Sequence, residues 1–123
     1  MIKIFQIILT NAEIDLINSS PLGHTAVERQ IHKMDLSMGR QLTTEMLYSF
    51  EHTMTVDTDD LEEAFRLTNL WNDESSITRV SERQASTSVG DMLVTSNGDT
   101  YICANFGFQL VDMNELTVQA EAA

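Results

Sequence analysis

The sequence predicts an α+β fold: a single small domain, mostly antiparallel sheet, with two or three helices packed on it and a C-terminal β-hairpin. Three observations carry this expectation. The opening run "IKIFQIIL" (residues 2–9) is rich in β-formers and apolar at both alternating sets of positions, interrupted by Lys3 near its start and by Gln6 within it. A central strand covered on both faces has that pattern. The helical patterns lie in the first part of the chain, and the short strands "VGDMLV", "TYICAN" and "FGFQLV" gather near its end. Helices and strands segregated in this way favour α+β over an alternating βαβ arrangement. With 123 residues the chain can bury one core.

The elements follow in order. "TNAEIDLINSS" reads as a short helix, with Thr10 or Asn11 as N-cap and Glu13 and Asp15 in its first turn. "SSPLGH" breaks it. A longer helix is expected from about Thr25 to Met38, with Val27, Ile31, Met34 and Met38 on one stripe and Gly39 as its stop. "EMLYSFEHTMTVDT" alternates, placing Met46, Tyr48, Phe50, His52, Met54 and Val56 on one face of a half-buried strand. "DTDDLEEAFRLTNLW" is the clearest helix. Asp57 or Thr58 would cap it, Asp59 and Glu62 have capping-box spacing, and Leu61, Ala64, Phe65 and Thr68 form the buried stripe.

Residues 69–88 are polar and irregular, and so long a loop in a small domain is expected to serve function or to be disordered. After it, Asn97-Gly98 signals a tight type I′ turn between two strands, and "FGFQLV" adds a last one. The order is β-α-α-β-α-loop-β-β-β. The domain is expected to span residues 1–113, with 114–123 as a flexible tail.

Charge narrows the function classes. The chain carries 19 acidic and 7 basic residues, a net charge of −12. Direct binding to nucleic acid needs a basic face that displaces counterions from phosphates, and this chain does not offer one. An acidic surface serves solubility or imitates the charge of DNA. One cysteine, Cys103, excludes an internal disulfide and a cysteine-rich zinc site, and its place in a strand reads as a small buried hydrophobe. The first apolar run is too short for a membrane span and lacks signal-peptide form, so a cytoplasmic protein is expected.

Catalytic patterns are missing. There is no Gly-rich phosphate loop, no HExxH and no nucleophile elbow. The acids before residue 64 lack the alternate spacing and central glycine of a calcium loop. His24 and His32 read as solvated and His52 as a core histidine, so neither a metal nor another cofactor is expected. The loop is different. Arg79 and Arg83 fall four apart there, and no positive charge follows Arg83. With Ser86, Thr87 and Ser88 they could form an anion site, since guanidinium forks and hydroxyls suit phosphate or carboxylate. Asn69 and Trp71 would flank it, Trp71 as a stacking face. The alternative is that both arginines pair with acids of this chain, such as Asp73, Glu74 or Glu82.

Taken together, "IFQIILTNAEIDLIN", "VDTDDLEEAFRLTNLW" and "RQASTSVGDMLV…YICANFGF" resemble small proteins of tailed phages, most closely those of marine cyanophages. The hairpin part is also similar to the YodL-like domain of bacterial mobile elements. Asn69, Arg83, Ser86, Ser88, Gly90, Asp91, Gly107 and Phe108 match the recurring positions of the pattern R-x-x-S-x-S-V-G-D…G-F and its upstream helix. The resemblance implies a phage origin, and a small phage protein without catalytic motifs is expected to be a non-enzymatic accessory protein in the cytoplasm of an infected bacterial host, acting by stoichiometric binding in host takeover or counter-defence. The expected partner is a host protein, which it would inhibit or modulate. Alternatively, the 79–88 loop sequesters a small anionic, nucleotide-type immune signal, or the acids at Glu51, Asp57, Asp59, Asp60, Glu62 and Glu63 act as a DNA mimic. A homo-oligomer would cover the open edges of so small a sheet.

Overall fold

The computed structural model describes residues 1–70, 74–114 and 116. The apolar N-terminal run forms β1 (Ile2–Gln6) at the centre of an antiparallel sheet. The other strands are β2 (Glu51–Val56), β3 (Ile77–Arg79), β4 (Met92–Val94), β5 (Thr100–Cys103) and β6 (Phe108–Val111), in the order β3-β2-β1-β4-β5-β6. The helices α1 (Asn11–Ser19), α2 (Glu28–Ser37) and α3 (Leu61–Leu70) pack with this sheet in an α+β domain. β3 lies within the stretch expected to be irregular. Its three residues are too few to show an alternation, and only pairing with β2 reveals the strand.

Both faces of the sheet are covered. On one, Ile2, Ile4, Met54, Val56, Leu93 and Cys103 pack with Ala64 of α3, joined by Leu61, Leu67, Ile77 and Phe108. On the other, Phe5, Met92, Ile102 and Val111 meet Leu36 of α2 together with Ile7, Leu42, Met46 and Leu116. Each fully buried aliphatic side chain contributes roughly 1.5–3 kcal/mol, so these two clusters dominate the stabilisation. Leu116 is buried in the second, and Thr44 Oγ1 donates to its carbonyl at 2.8 Å. Packing therefore continues past residue 113, where a tail was expected to begin; residues 117–123 lie outside the described residues.

Several local expectations are corrected. Residues Glu45–Ser49 form a 3-10 helix and not the start of β2. With three residues per turn, Met46 and Ser49 point inward and Tyr48 is left 89% exposed. Within β2, the pairing with β1 shifts between Ile4, opposite Met54, and Phe5, opposite His52, so Thr53 is an extra residue. This bulge reverses the alternation. His52 therefore lies on the face opposite Met54, where its ring stacks on Phe5 with centroids 5.1 Å apart.

The buried residues of α2 are His32 and Leu36, so its buried face is turned from the stripe read in the sequence. His32 is not solvated: its Nδ1 lies 2.7 Å from Ser49 Oγ, a polar partner that no helical periodicity announces. Gly39 does end α2, at φ +83, with its N–H on Leu36 O and that of Arg40 on Asp35 O. Thr10 caps α1 through a reciprocal capping box with Glu13. At α3 the cap is Asp60, whose Oδ1 accepts from the N–H groups of Glu62 and Glu63. Asp59 instead holds the N-terminal ammonium and Ser96.

The β4–β5 turn also departs from the two-residue form. Gly98 N–H donates to Thr95 O and Thr95 N–H to Asp99 O, leaving residues 96–98 as a three-residue loop. Gly98, at φ +90, supplies the left-handed position that closes it.

Candidate functional site

The chain leaves β3 at one side of the sheet and reaches β4 on the far side of β1, so residues 80–91 must cross the ends of β2 and β1. A crossing that buries backbone needs partners for its polar groups. Gln6 supplies most of them. It is 1% exposed, and its Nε2 donates to Ala85 O at 3.0 Å and to Asp91 Oδ2 at 2.9 Å. Its Oε1 accepts from Ala85 N–H at 3.2 Å and from Thr53 Oγ1 at 2.7 Å. Gln6, a polar residue inside the first apolar run, is thus the anchor of the crossing. A second tie comes from α3, where Thr68 Oγ1 lies 2.6 Å from Thr87 Oγ1 and Asn69 Nδ2 donates to Thr87 O at 3.0 Å.

The residues expected to bind an anion are distributed by this architecture and do not converge. Asn69 serves as the staple just described. Thr87 is 1% exposed, so its hydroxyl faces Thr68 and not a ligand. Arg79 pairs with Glu74. Arg83 NH2 pairs with Glu51 Oε1 at 2.9 Å, and Ser81 Oγ binds the other oxygen of that carboxylate at 3.0 Å. Glu51 is 32 positions away from Arg83, which is why the pairing could not be read locally. Ser86 gives its carbonyl to Gln6 at 3.4 Å. Trp71 lies outside the described residues. Among the described members of the group, Ser88 lines a cavity described below. The acids thought to imitate DNA are divided too: Glu51 pairs with Arg83, Asp59 with the N-terminus, Asp60 caps α3 and Glu63 pairs with Arg66.

The geometry brings a different group together. A cleft of about 380 Å³ runs between α2 and residues 88–91. Ile7, Met34 and Val89 supply apolar wall, and Gln30, Lys33, Ser37, Ser88 and Asp91 the polar groups. Gly90 brings the two sides close: at φ +96, a Cβ there would lie 3.0 Å from Leu36 Cβ. Asp91 is 9% exposed and accepts from Gln6 Nε2 and from Ser88 N–H, both at 2.9 Å and both on Oδ2. Burial pushes its pKa up to about 6, against these two hydrogen bonds and the charge of Lys33. Cys103 lies nearby, with its N–H on Asp91 O. Burial, with the Asp91 charge adding to it, pushes the thiol up to about 11, so the sulfur stays protonated at neutral pH. Sequence reasoning missed Asp91 as a site residue. The available signals were an acid next to an apolar strand and Gln6 inside another.

Fold and cleft together define an α+β domain whose polar interior converges on one buried carboxyl group. No protein-family model, no curated protein and no solved structure matches the chain. Among the described residues no helix is long and apolar enough to cross a membrane, and no cluster of His, Cys, Asp or Glu could hold a metal ion.

Proposed function

We propose that this chain is a non-catalytic accessory protein that acts by stoichiometric binding of a partner protein, in keeping with its resemblance to small phage proteins of host takeover or counter-defence. The observation that carries this reading is the character of β6. From Thr100 to Val111 the chain has no charged side chain, in a protein of net charge −12. β6 ends the sheet, and beside it Leu110 is 60% and Phe106 98% exposed. Natural sheets protect such edges with charge, as β3 does at the opposite side with Arg79 and its partner Glu74. An uncharged edge with two exposed apolar side chains suits strand addition by an extended segment of a partner, whose side chains would use these apolar anchors. A cavity of about 390 Å³ beside Leu110 and Gln109, reaching to Leu42, offers room for one of them. The anion-sequestering reading has less support, because Arg79 and Arg83 already hold acids of this chain.

Comparative capture from bacterial host lysate tests the reading. The wild-type chain should retain a partner in one-to-one ratio that Leu110→Lys and Phe106→Ser both release, with folding unchanged. Retention of the same partner by both variants would remove β6 from the interface. Light scattering distinguishes the other occupant: a wild-type dimer that Leu110→Lys makes monomeric would assign the edge to a second copy.

A further inference from the structure

We infer that the cleft between α2 and residues 88–91 binds a small molecule bearing a single ammonium or guanidinium group, which the Asp91 carboxylate receives at its base. The site involves no residue of β6, so it stands or falls independently of the partner-binding reading.

The hydrogen bonds of Asp91 are asymmetric. Both donors, Gln6 Nε2 and Ser88 N–H, reach Oδ2, and Oδ1 receives no hydrogen bond from the described residues. A carboxylate this deeply buried is costly unless charge-assisted donors satisfy it. The cation of this chain that acts on it, Lys33 of α2, does so through charge at a distance and not through a hydrogen bond. The Cys103 thiol on β5 is the other titratable neighbour, and it is neutral. The carboxylate therefore lines an open cleft with one oxygen still lacking a donor.

The rest of the cleft specifies the ligand further. An ammonium has three N–H groups and a guanidinium five, more than one carboxylate oxygen accepts. The Ser88 and Ser37 hydroxyls and the Gln30 amide oxygen are neutral acceptors on the same lining. Ile7, Met34 and Val89 can cover a short alkyl stem. Lys33 repels a second positive charge, so a monocation, or a zwitterion whose carboxylate meets Lys33, is preferred over a polyamine. The net charge of −12 enriches cations around the whole chain and raises their encounter rate without selecting among them.

The test is a two-dimensional amide NMR titration with butylamine, methylguanidine and γ-aminobutyrate, with butyrate and putrescine as controls. Saturable shifts at Ser88, Val89, Gly90 and Lys33 are expected with the three cationic probes, and weaker ones or none with butyrate and putrescine. With the Asp91 pKa at about 6, affinity should fall roughly tenfold from pH 7 to pH 5 as the carboxyl takes up its proton. Asp91→Asn keeps an acceptor for Gln6 and Ser88 but removes the charge, and should abolish saturation. If that variant fails to fold, Ser37→Phe on the exposed face of α2 fills the cleft mouth and should abolish binding in a folded protein. Butyrate binding as well as butylamine, the absence of saturation by any cationic probe, or unchanged binding in Ser37→Phe would each overturn the assignment.

Discussion

Gln6 and Asp91, 85 positions apart, meet side chain to side chain at 2.9 Å. The contact joins the central strand to the end of the long crossing, and through Asp91 to the wall of the cleft. It also holds a carboxyl group in a place where its ionised form is disfavoured, which makes the protein's stability depend on pH.

The sign of that dependence follows from linkage. The folded-state pKa of Asp91, about 6, lies above the ordinary aspartate value, so the folded protein binds this proton more tightly than the unfolded chain. Its contribution is fully present below about pH 4 and is lost as pH rises through 6. At neutral pH the ionised group costs up to about 3 kcal/mol, taking 1.36 kcal/mol per pH unit. Asp91→Asn should therefore unfold at higher urea concentration than wild type at pH 7.5, with a difference that shrinks towards pH 4.5. Equal midpoints at both pH values would show that Asp91 titrates normally.

Gln6→Leu is close in size but leaves Thr53 Oγ1, Ala85 N–H and Asp91 without their shared partner. Each buried group stripped of its hydrogen bond costs about 1–3 kcal/mol. A loss of about 3 kcal/mol or more in denaturant unfolding is expected, together with faster hydrogen exchange at residues 84–88. Retention of wild-type exchange there would mean that the crossing is held by α3 alone.

Gly90→Ala should be destabilising for two independent reasons. The backbone is at φ +96, and the new methyl would lie 3.0 Å from Leu36 Cβ and 3.3 Å from Leu36 C. A loss of about 2 kcal/mol is expected. Gly98→Ala shares the positive φ but meets nothing within 4 Å, so it should cost less. Thermal melts of the two variants side by side separate close approach from backbone strain.

The acids around α3 can be told apart by substitution. Asp60→Ala removes the cap and should cost about 1 kcal/mol. Asp57→Ala, at a position also considered for the cap, should be nearly silent. Arg83→Ala breaks a partly exposed pair with Glu51 and should cost less than about 1 kcal/mol. Chemical denaturation of the three variants at one pH decides the ranking; equal losses for Asp57→Ala and Asp60→Ala would contradict the observed cap.

The parts of the fold legible in the sequence are those where a local pattern and the tertiary environment agree. The central position of β1 follows from its apolar composition, α1 from Thr10 and Glu13, and the end of α2 from Gly39. Other elements were hidden because a single residue changes the meaning of the pattern. Thr53 reverses the alternation in β2, so His52 lies on the face opposite the one its spacing from Met54 predicts. The alternation before it belongs to a 3-10 helix, whose period of three coincides with a period of two only at the buried Met46. Of the two arginines, Arg79 pairs with Glu74, one of the nearby acids the sequence offers, whereas the partner of Arg83, Glu51, is remote in sequence and is shown only by the fold.

By itself the sequence determined the α+β class, the central strand, the helix stop at Gly39 and the unusual charge balance. These depend on composition and on interactions within a few residues, which a linear pattern records. The tertiary structure decided the register of β2, the existence of β3, the partner of Arg83 and the convergence of Gln6, Asp91 and Lys33 at one cleft. Those features arise when distant segments bury polar groups against one another, and the burial of a carboxyl group exists only once the chain has closed around it.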